Sequence, residues 1–119
     1  MKKILFVDDE SDWRSVVAAQ LKEIGHETIV ARNGSEAMKL ADGAQLGLII
    51  LDVDLAGESG LSLMHYLRRN HPGVPVLIYT GLDHDEAAIK NILHNGAAQY
   101  LRKGTLEDLA QAVQHAFRN

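Results

Sequence analysis

Cysteine is absent from the 119-residue chain, which removes disulfide frameworks, thiolate zinc sites, cysteine nucleophiles and iron–sulfur clusters together. A concentrated basic stripe is missing as well. Neither Lys2-Lys3 nor Arg68-Arg69 extends into one, and 12 basic against 16 acidic residues leave a net charge of −4 with histidine neutral. No direct nucleic-acid partner is expected from that balance. Long hydrophobic runs are lacking too: Leu48 to Leu51, with Leu46 just before, falls far short of the roughly 20 residues a membrane helix needs. Lys2 and Lys3 precede an apolar run that ends at Asp8, before the hydrophobic region and cleavage site of a signal peptide develop. The expectation is a soluble, cytoplasmic chain without membrane contact.

What is present suits one folded domain over residues 1–119, since hydrophobic residues make up 46% and charged residues 24%. Short β-branched or Leu-rich runs at Ile4 to Val7, Thr28 to Val30, Leu46 to Leu51, Val74 to Tyr79 and Gln99 to Leu101 predict five strands. Helical spacing fills the gaps. Trp13, Val16, Val17, Leu21 and Ile24 share one helix face, with Gly25 as a stop signal. Thr105 and Asp108 resemble a capping box ahead of Leu106, Leu109, Ala110, Val113 and Phe117. Further helices are predicted near Gly34 to Ala41, Gly60 to Asn70 and Asp83 to Asn95. The run Leu46 to Leu51 is apolar at nearly every position, as a strand covered on both faces requires. A doubly wound parallel α/β sandwich is therefore expected.

In open parallel sheets ligands bind beyond the carboxyl ends of the strands, so the strand-ending residues are read together. Asp8-Asp9, Asp52, Thr80 and Lys103 stand there. Three carboxylates on one rim either raise a pKa or recruit a cation, and an oxygen-only donor set suits Mg²⁺. One carboxylate can then attack phosphorus to form an aspartyl phosphate, with Mg²⁺ and the Lys103 ammonium offsetting phosphoryl charge and Thr80 adding a hydroxyl. Phosphoryl transfer fits this set better than any other reaction class.

These residues carry a resemblance. Asp8-Asp9 after KKILFV, NGSEAM at 33–38, LIILDVDLAGESG at 48–60, VLIYTG at 76–81 and YLRKG at 100–104 are similar, in order and spacing, to the receiver domain of two-component response regulators. The resemblance covers essentially the whole chain and implies a flavodoxin-like (CheY-like) sheet of order 2-1-3-4-5. It implies Asp52 as phosphoacceptor and Asp8 and Asp9 as holders of Mg²⁺, with Asp52 and the Asp54 backbone carbonyl completing the metal site. Thr80 and Lys103 would bind the phosphoryl group. Thr80 and Tyr100 would then act as the switch, changing the surface around the fourth helix and fifth strand. Implied partners are a histidine kinase or phosphotransfer protein and a downstream effector protein or domain, with no catalysis beyond the chain's own phosphorylation and dephosphorylation.

Two departures stand out. Gly104 follows Lys103 where the family usually has proline, which predicts either a trans bond with a rearranged loop or a glycine-specific geometry. Ala56 replaces a frequent proline, which is expected to loosen the loop after Asp52. Asp54 adds a carboxylate expected to influence the lifetime of the phosphoryl group. Trp13 is either core or a neighbour of the acidic pocket, where its fluorescence would report Mg²⁺. The six histidines, His26, His65, His71, His84, His94 and His115, lack metal-ligand spacing and are expected on helix faces or at the surface. Two rival functions remain: Asp52-Val53-Asp54 resembles the DxD of haloacid-dehalogenase-type phosphatases, and a receiver that no longer transfers phosphate would work as an interaction module.

Overall fold

KILFV, the first apolar run, has its last four side chains buried on alternating sides, and only a central strand can satisfy that pattern. In the computed structural model, which describes residues 2–55 and 58–118 and only the backbone of Glu58, it is β1, Lys3–Val7. The order continues with α1 (Ser11–Glu23), β2 (Thr28–Ala31), α2 (Gly34–Ala41), β3 (Leu46–Leu51), β4 (Asp54–Leu55), β5 (Glu58–Ser59), α3 (Gly60–Asn70), β6 (Val76–Thr80), α4 (Glu86–His94), β7 (Gln99–Arg102) and α5 (Leu106–Arg118).

The five long strands form one parallel sheet in the order β2-β1-β3-β6-β7. Counting only those five, this is the expected 2-1-3-4-5. The hairpin β4-β5 is antiparallel, two residues per strand, and lies outside the sequence expectation because segments that short carry no periodicity. Alternation of side chains along the central strands divides the core into two layers. On one face Leu5, Val7, Ile49, Leu51 and Ile78 pack with Ala37 of α2, Leu63, Met64 and Leu67 of α3, and Ile92 of α4. On the other, Ile4, Phe6, Leu48, Ile50 and Tyr79 pack with Val17 and Leu21 of α1 and Leu109 and Val113 of α5. Each fully buried aliphatic side chain contributes about 1.5–3 kcal/mol relative to exposure. The sheet is covered on both faces, as the apolar run of β3 predicts.

Ends differ from expectation by a few residues, each for a local reason. The fourth long strand starts at Val76 rather than Val74 because Pro75 has no N–H to give the ladder; its carbonyl still accepts from Ile49. Helix α4 starts at Glu86 because Asp85 caps it, its side chain accepting from the Ala88 amide at 2.8 Å. After α1, Gly25 at φ 95° lets the His26 and Gly25 amides return to the Leu21 and Lys22 carbonyls at 2.9 and 3.0 Å. The predicted pairing at the start of α5 is present: the Asp108 amide donates to Thr105 Oγ1 at 3.4 Å. No helix among the described residues is long and apolar enough to cross a membrane. Ala56, with its predicted loosening of the loop, lies outside the described residues.

Candidate functional site

Backbone pairing continues one residue past the formal strand ends, and this positions the site. The Asp8 amide donates to the Ala31 carbonyl at 3.0 Å, the Asp52 amide to the Val7 carbonyl at 3.0 Å, and the Lys103 amide to the Thr80 carbonyl at 2.7 Å. Each side chain of interest thus leaves a fixed backbone at the carboxyl rim of the sheet. Behind Asp52 the chain turns against Gly60, where an added Cβ would lie 2.4 Å from the Val53 Cα, so only glycine admits this close approach of α3.

Lys103 sits at the centre. Its Nζ is 2.8 Å from Asp52 Oδ2, 2.6 Å from Asp8 Oδ2 and 3.7 Å from Glu10 Oε1, with only 4% of its side chain exposed. Asp8 is fully buried and Asp52 is 2% exposed. Asp52 Oδ1 accepts the Asp54 amide and Asp8 Oδ1 the Glu10 amide, both at 2.9 Å. Arg14 Nη1 donates to the Asp8 carbonyl at 2.8 Å and ties α1 to the rim. Burial raises the Asp8 carboxyl above its ordinary range, and the opposing effects of Lys103 and the Glu10 amide do not cancel it. For Lys103, burial alone would favour the neutral amine, but hydrogen bonds to Asp52 and Asp8 and their charges outweigh it and hold the ammonium above its usual range. Two buried carboxylates share one buried cation.

The donor set fits a hard divalent ion. Asp8 Oδ2 is fully buried against the Lys103 ammonium at 2.6 Å, and with Asp52 on the same ammonium the pocket keeps an excess of carboxylate charge that a cation can take up. Carboxylate oxygens of Asp8, Asp9 and Glu10 lie within 4.8 Å of one another. Glu10 is not singled out by the sequence, since a third acidic residue beyond a strand reads as an ordinary turn former. Asp52 and Asp54 stand outside that cluster, and the Asp54 side chain is exposed.

The two residues expected to act as the switch have neutral partners. Thr80 is fully buried at the end of β6, its Oγ1 accepting the Leu82 amide at 3.2 Å. Tyr100 is half-buried on β7; its hydroxyl donates to the Leu82 carbonyl at 3.4 Å and is hydrogen-bonded to His84 Nδ1, with the two rings edge to face. Burial pushes the Tyr100 phenol up. His84 is thus more than the surface residue expected of it, and no local spacing could have announced a contact made across the sheet's rim.

Both alternatives for Trp13 hold together: it packs against the α1/α5 core layer and its ring lies 5.1 Å from Lys103 Nζ. For Gly104 the glycine-specific geometry is corrected. Every described peptide bond is trans, its φ is outside the left-handed region, and an added Cβ would meet nothing nearer than the Arg102 carbonyl oxygen at 4.0 Å.

Comparison with known proteins agrees with this architecture. The profile of the response regulator receiver domain matches residues 4–114. A putative NtrX-like response regulator of Rickettsia bellii (strain RML369-C) is 35% identical over 102 residues, 84% of this chain and 21% of that protein. The chain therefore spans about a fifth of that relative's length. Among solved structures, a two-component response regulator from Clostridium difficile superposes with a TM-score of 0.91 at 28% identity, covering 100% of this chain and 98% of that one. TrrA of Thermotoga maritima, solved in complex with Mg²⁺-BeF, gives 0.85 at 30% identity and covers 98% and 99%. A profile match across nearly all of a chain with this sheet order makes the protein a member of the response regulator receiver domain family.

Proposed function

We propose that this chain is a phosphorylation-dependent switch in which Asp52 accepts a phosphoryl group from a histidine kinase or phosphotransfer protein and passes the signal to an effector by contact. The observation that carries the reading is the Asp52 carboxylate, buried at the rim with Oδ2 on an ammonium that it shares with Asp8. An Asp52 oxygen attacks phosphorus, the bond to the donor breaks, and the donor leaves with the electron pair and takes up a proton. Lys103 balances charge on the transferred oxygens without titrating near neutral pH, since its ammonium is held above the usual range. Asp8 and Asp9, with Asp52 and the Asp54 backbone carbonyl, would hold Mg²⁺; the excess of carboxylate charge over the Lys103 ammonium supports this. When bound, that ion supplies further charge neutralisation for the phosphoryl oxygens.

Thr80 offers its hydroxyl to the phosphoryl group, and the Tyr100 ring follows the space it vacates, so two packings of one corner are biased by the new dianion. The Asp54 carboxylate, exposed two residues beyond the acceptor, would orient or repel the water that hydrolyses the acyl phosphate. Catalysis is confined to the chain's own phosphorylation and dephosphorylation, in a cytoplasmic setting. The phosphohydrolase reading draws less support, because the Asp54 contact to Asp52 comes from its amide and its side chain is exposed. The interaction-only reading rests on Gly104, and Lys103 keeps its carboxylate contacts despite it.

The test is treatment with a small acyl phosphate and Mg²⁺, followed by intact-mass measurement. One added phosphoryl group, lost in Asp52→Asn, is the expected result. Equal modification of the Asp52→Asn protein, or none under several donors, overturns the proposal.

A further inference from the structure

The backbone after Lys103 has neither a cis bond nor a glycine-specific turn to direct its side chain. The Lys103–Gly104 bond is trans, Gly104 is not in a left-handed conformation, and open space surrounds its α-carbon. A long, flexible lysine stem loses about 2 kcal/mol of rotamer entropy when it is fixed, so something else must hold it. Two carboxylates draw the ammonium from one side. A third neighbour is the indole of Trp13, with Nζ over its ring 5.1 Å from the centroid, within the range where a ring face attracts a cation.

Trp13 is itself well fixed. It meets the Tyr79 ring edge to face, centroids 5.7 Å apart at 86°, and its helix is anchored by the neighbouring Arg14 on the Asp8 carbonyl. Tyr79 is fully buried, and its hydroxyl, without a well-aligned hydrogen-bond partner, faces the backbone amide of Gly104. Proline at that position would have no such amide. The indole, the phenol and the glycine therefore form one backing layer behind the lysine.

We infer that Trp13 is a positioning residue for phosphoryl transfer: its ring face holds the Lys103 ammonium between Asp8 and Asp52 and keeps water from it. The inference rests on the phosphoacceptor reading of Asp52.

Because the chain has a single tryptophan, growth on fluorinated tryptophans changes only this ring, weakening its attraction for a cation stepwise at nearly constant shape. Phosphoryl uptake from a small acyl phosphate at saturating Mg²⁺ should fall progressively with fluorination, and about three- to tenfold in Trp13→Leu, with Trp13→Phe in between. In a second readout, made without donor, the Lys103 ε-methylene proton resonances should be displaced by the indole ring current and return to ordinary lysine positions in Trp13→Leu. Rates independent of fluorination, or Lys103 resonances already at ordinary positions in the natural protein, overturn the inference. If Trp13→Leu does not fold, the fluorinated series still decides. If the natural protein takes up no phosphoryl group, the phosphoacceptor reading fails separately and the ring-current displacement alone decides whether Trp13 holds Lys103.

Discussion

The Lys103 pocket and the Tyr100 corner lie at the same rim of one sheet but are held by different forces. In the pocket, buried charges face each other at 2.6 and 2.8 Å with almost no solvent. At the corner, a half-buried phenol rests on a histidine and a backbone carbonyl, with solvent nearby. Removing the cation that two buried carboxylates share strands them at a cost of several kcal/mol, whereas a neutral hydrogen bond near water is worth about 1 kcal/mol. The pocket is thus costly to disturb and the corner cheap, which is what the proposed switch would require.

The sharpest way to break this comparison is Lys103→Met, which keeps the stem and deletes the charge. Two buried carboxylates are then left facing each other, and stability near neutral pH should drop by about 3 kcal/mol in denaturant unfolding. A loss below about 1 kcal/mol would place the pocket in the same class as the corner.

Asp8→Asn should act in the opposite direction. Burial raises the Asp8 carboxyl, so the folded state binds this proton more readily than the unfolded chain. Its contribution to stability therefore declines as pH rises from the ordinary carboxylate range through the raised value. Replacing the carboxylate with an amide should raise stability near neutral pH, read as a higher Tm, and flatten that part of the pH profile. Lys103 adds a second, alkaline limb: its raised ammonium keeps its stabilisation up to the ordinary lysine range and loses it as pH climbs through the folded value.

At the corner, His84→Ala should cost no more than about 1 kcal/mol while altering the mobility of the Tyr100 ring in NMR line shapes. A cost like that of the pocket would show the corner to be locked. Smallest of all, Gly104→Ala should change stability by less than about 1 kcal/mol and tend to stabilise, because its φ and surroundings accept a Cβ. A marked loss of stability would mean that this loop is strained after all.

Much of this molecule is legible in its sequence. The doubly covered β3 follows from LGLIIL, and the convergence of Asp8, Asp52 and Lys103 follows once the strands are parallel and their ends are compared. The pairing of Trp13 with Lys103 stays open between two readings in the sequence, because helical register gives a face and not the neighbour it meets. His84 with Tyr100 is a contact across 16 residues, and Lys103 with Asp52 one across 51. Such partners are chosen by the assembled rim, and only the latter had charge to announce it. The hairpin β4-β5 is too short for any period, and the ordinary geometry of Gly104 is hidden by the expectation that proline's replacement must be special.

The central claim is that Asp52, and no other carboxylate of the rim, carries the phosphoryl group. Reducing the acyl phosphate with borohydride converts the modified aspartate to homoserine, which peptide mass spectrometry locates. Homoserine at position 52 alone is the predicted result; homoserine at Asp8, Asp9 or Asp54, with position 52 intact, would contradict it.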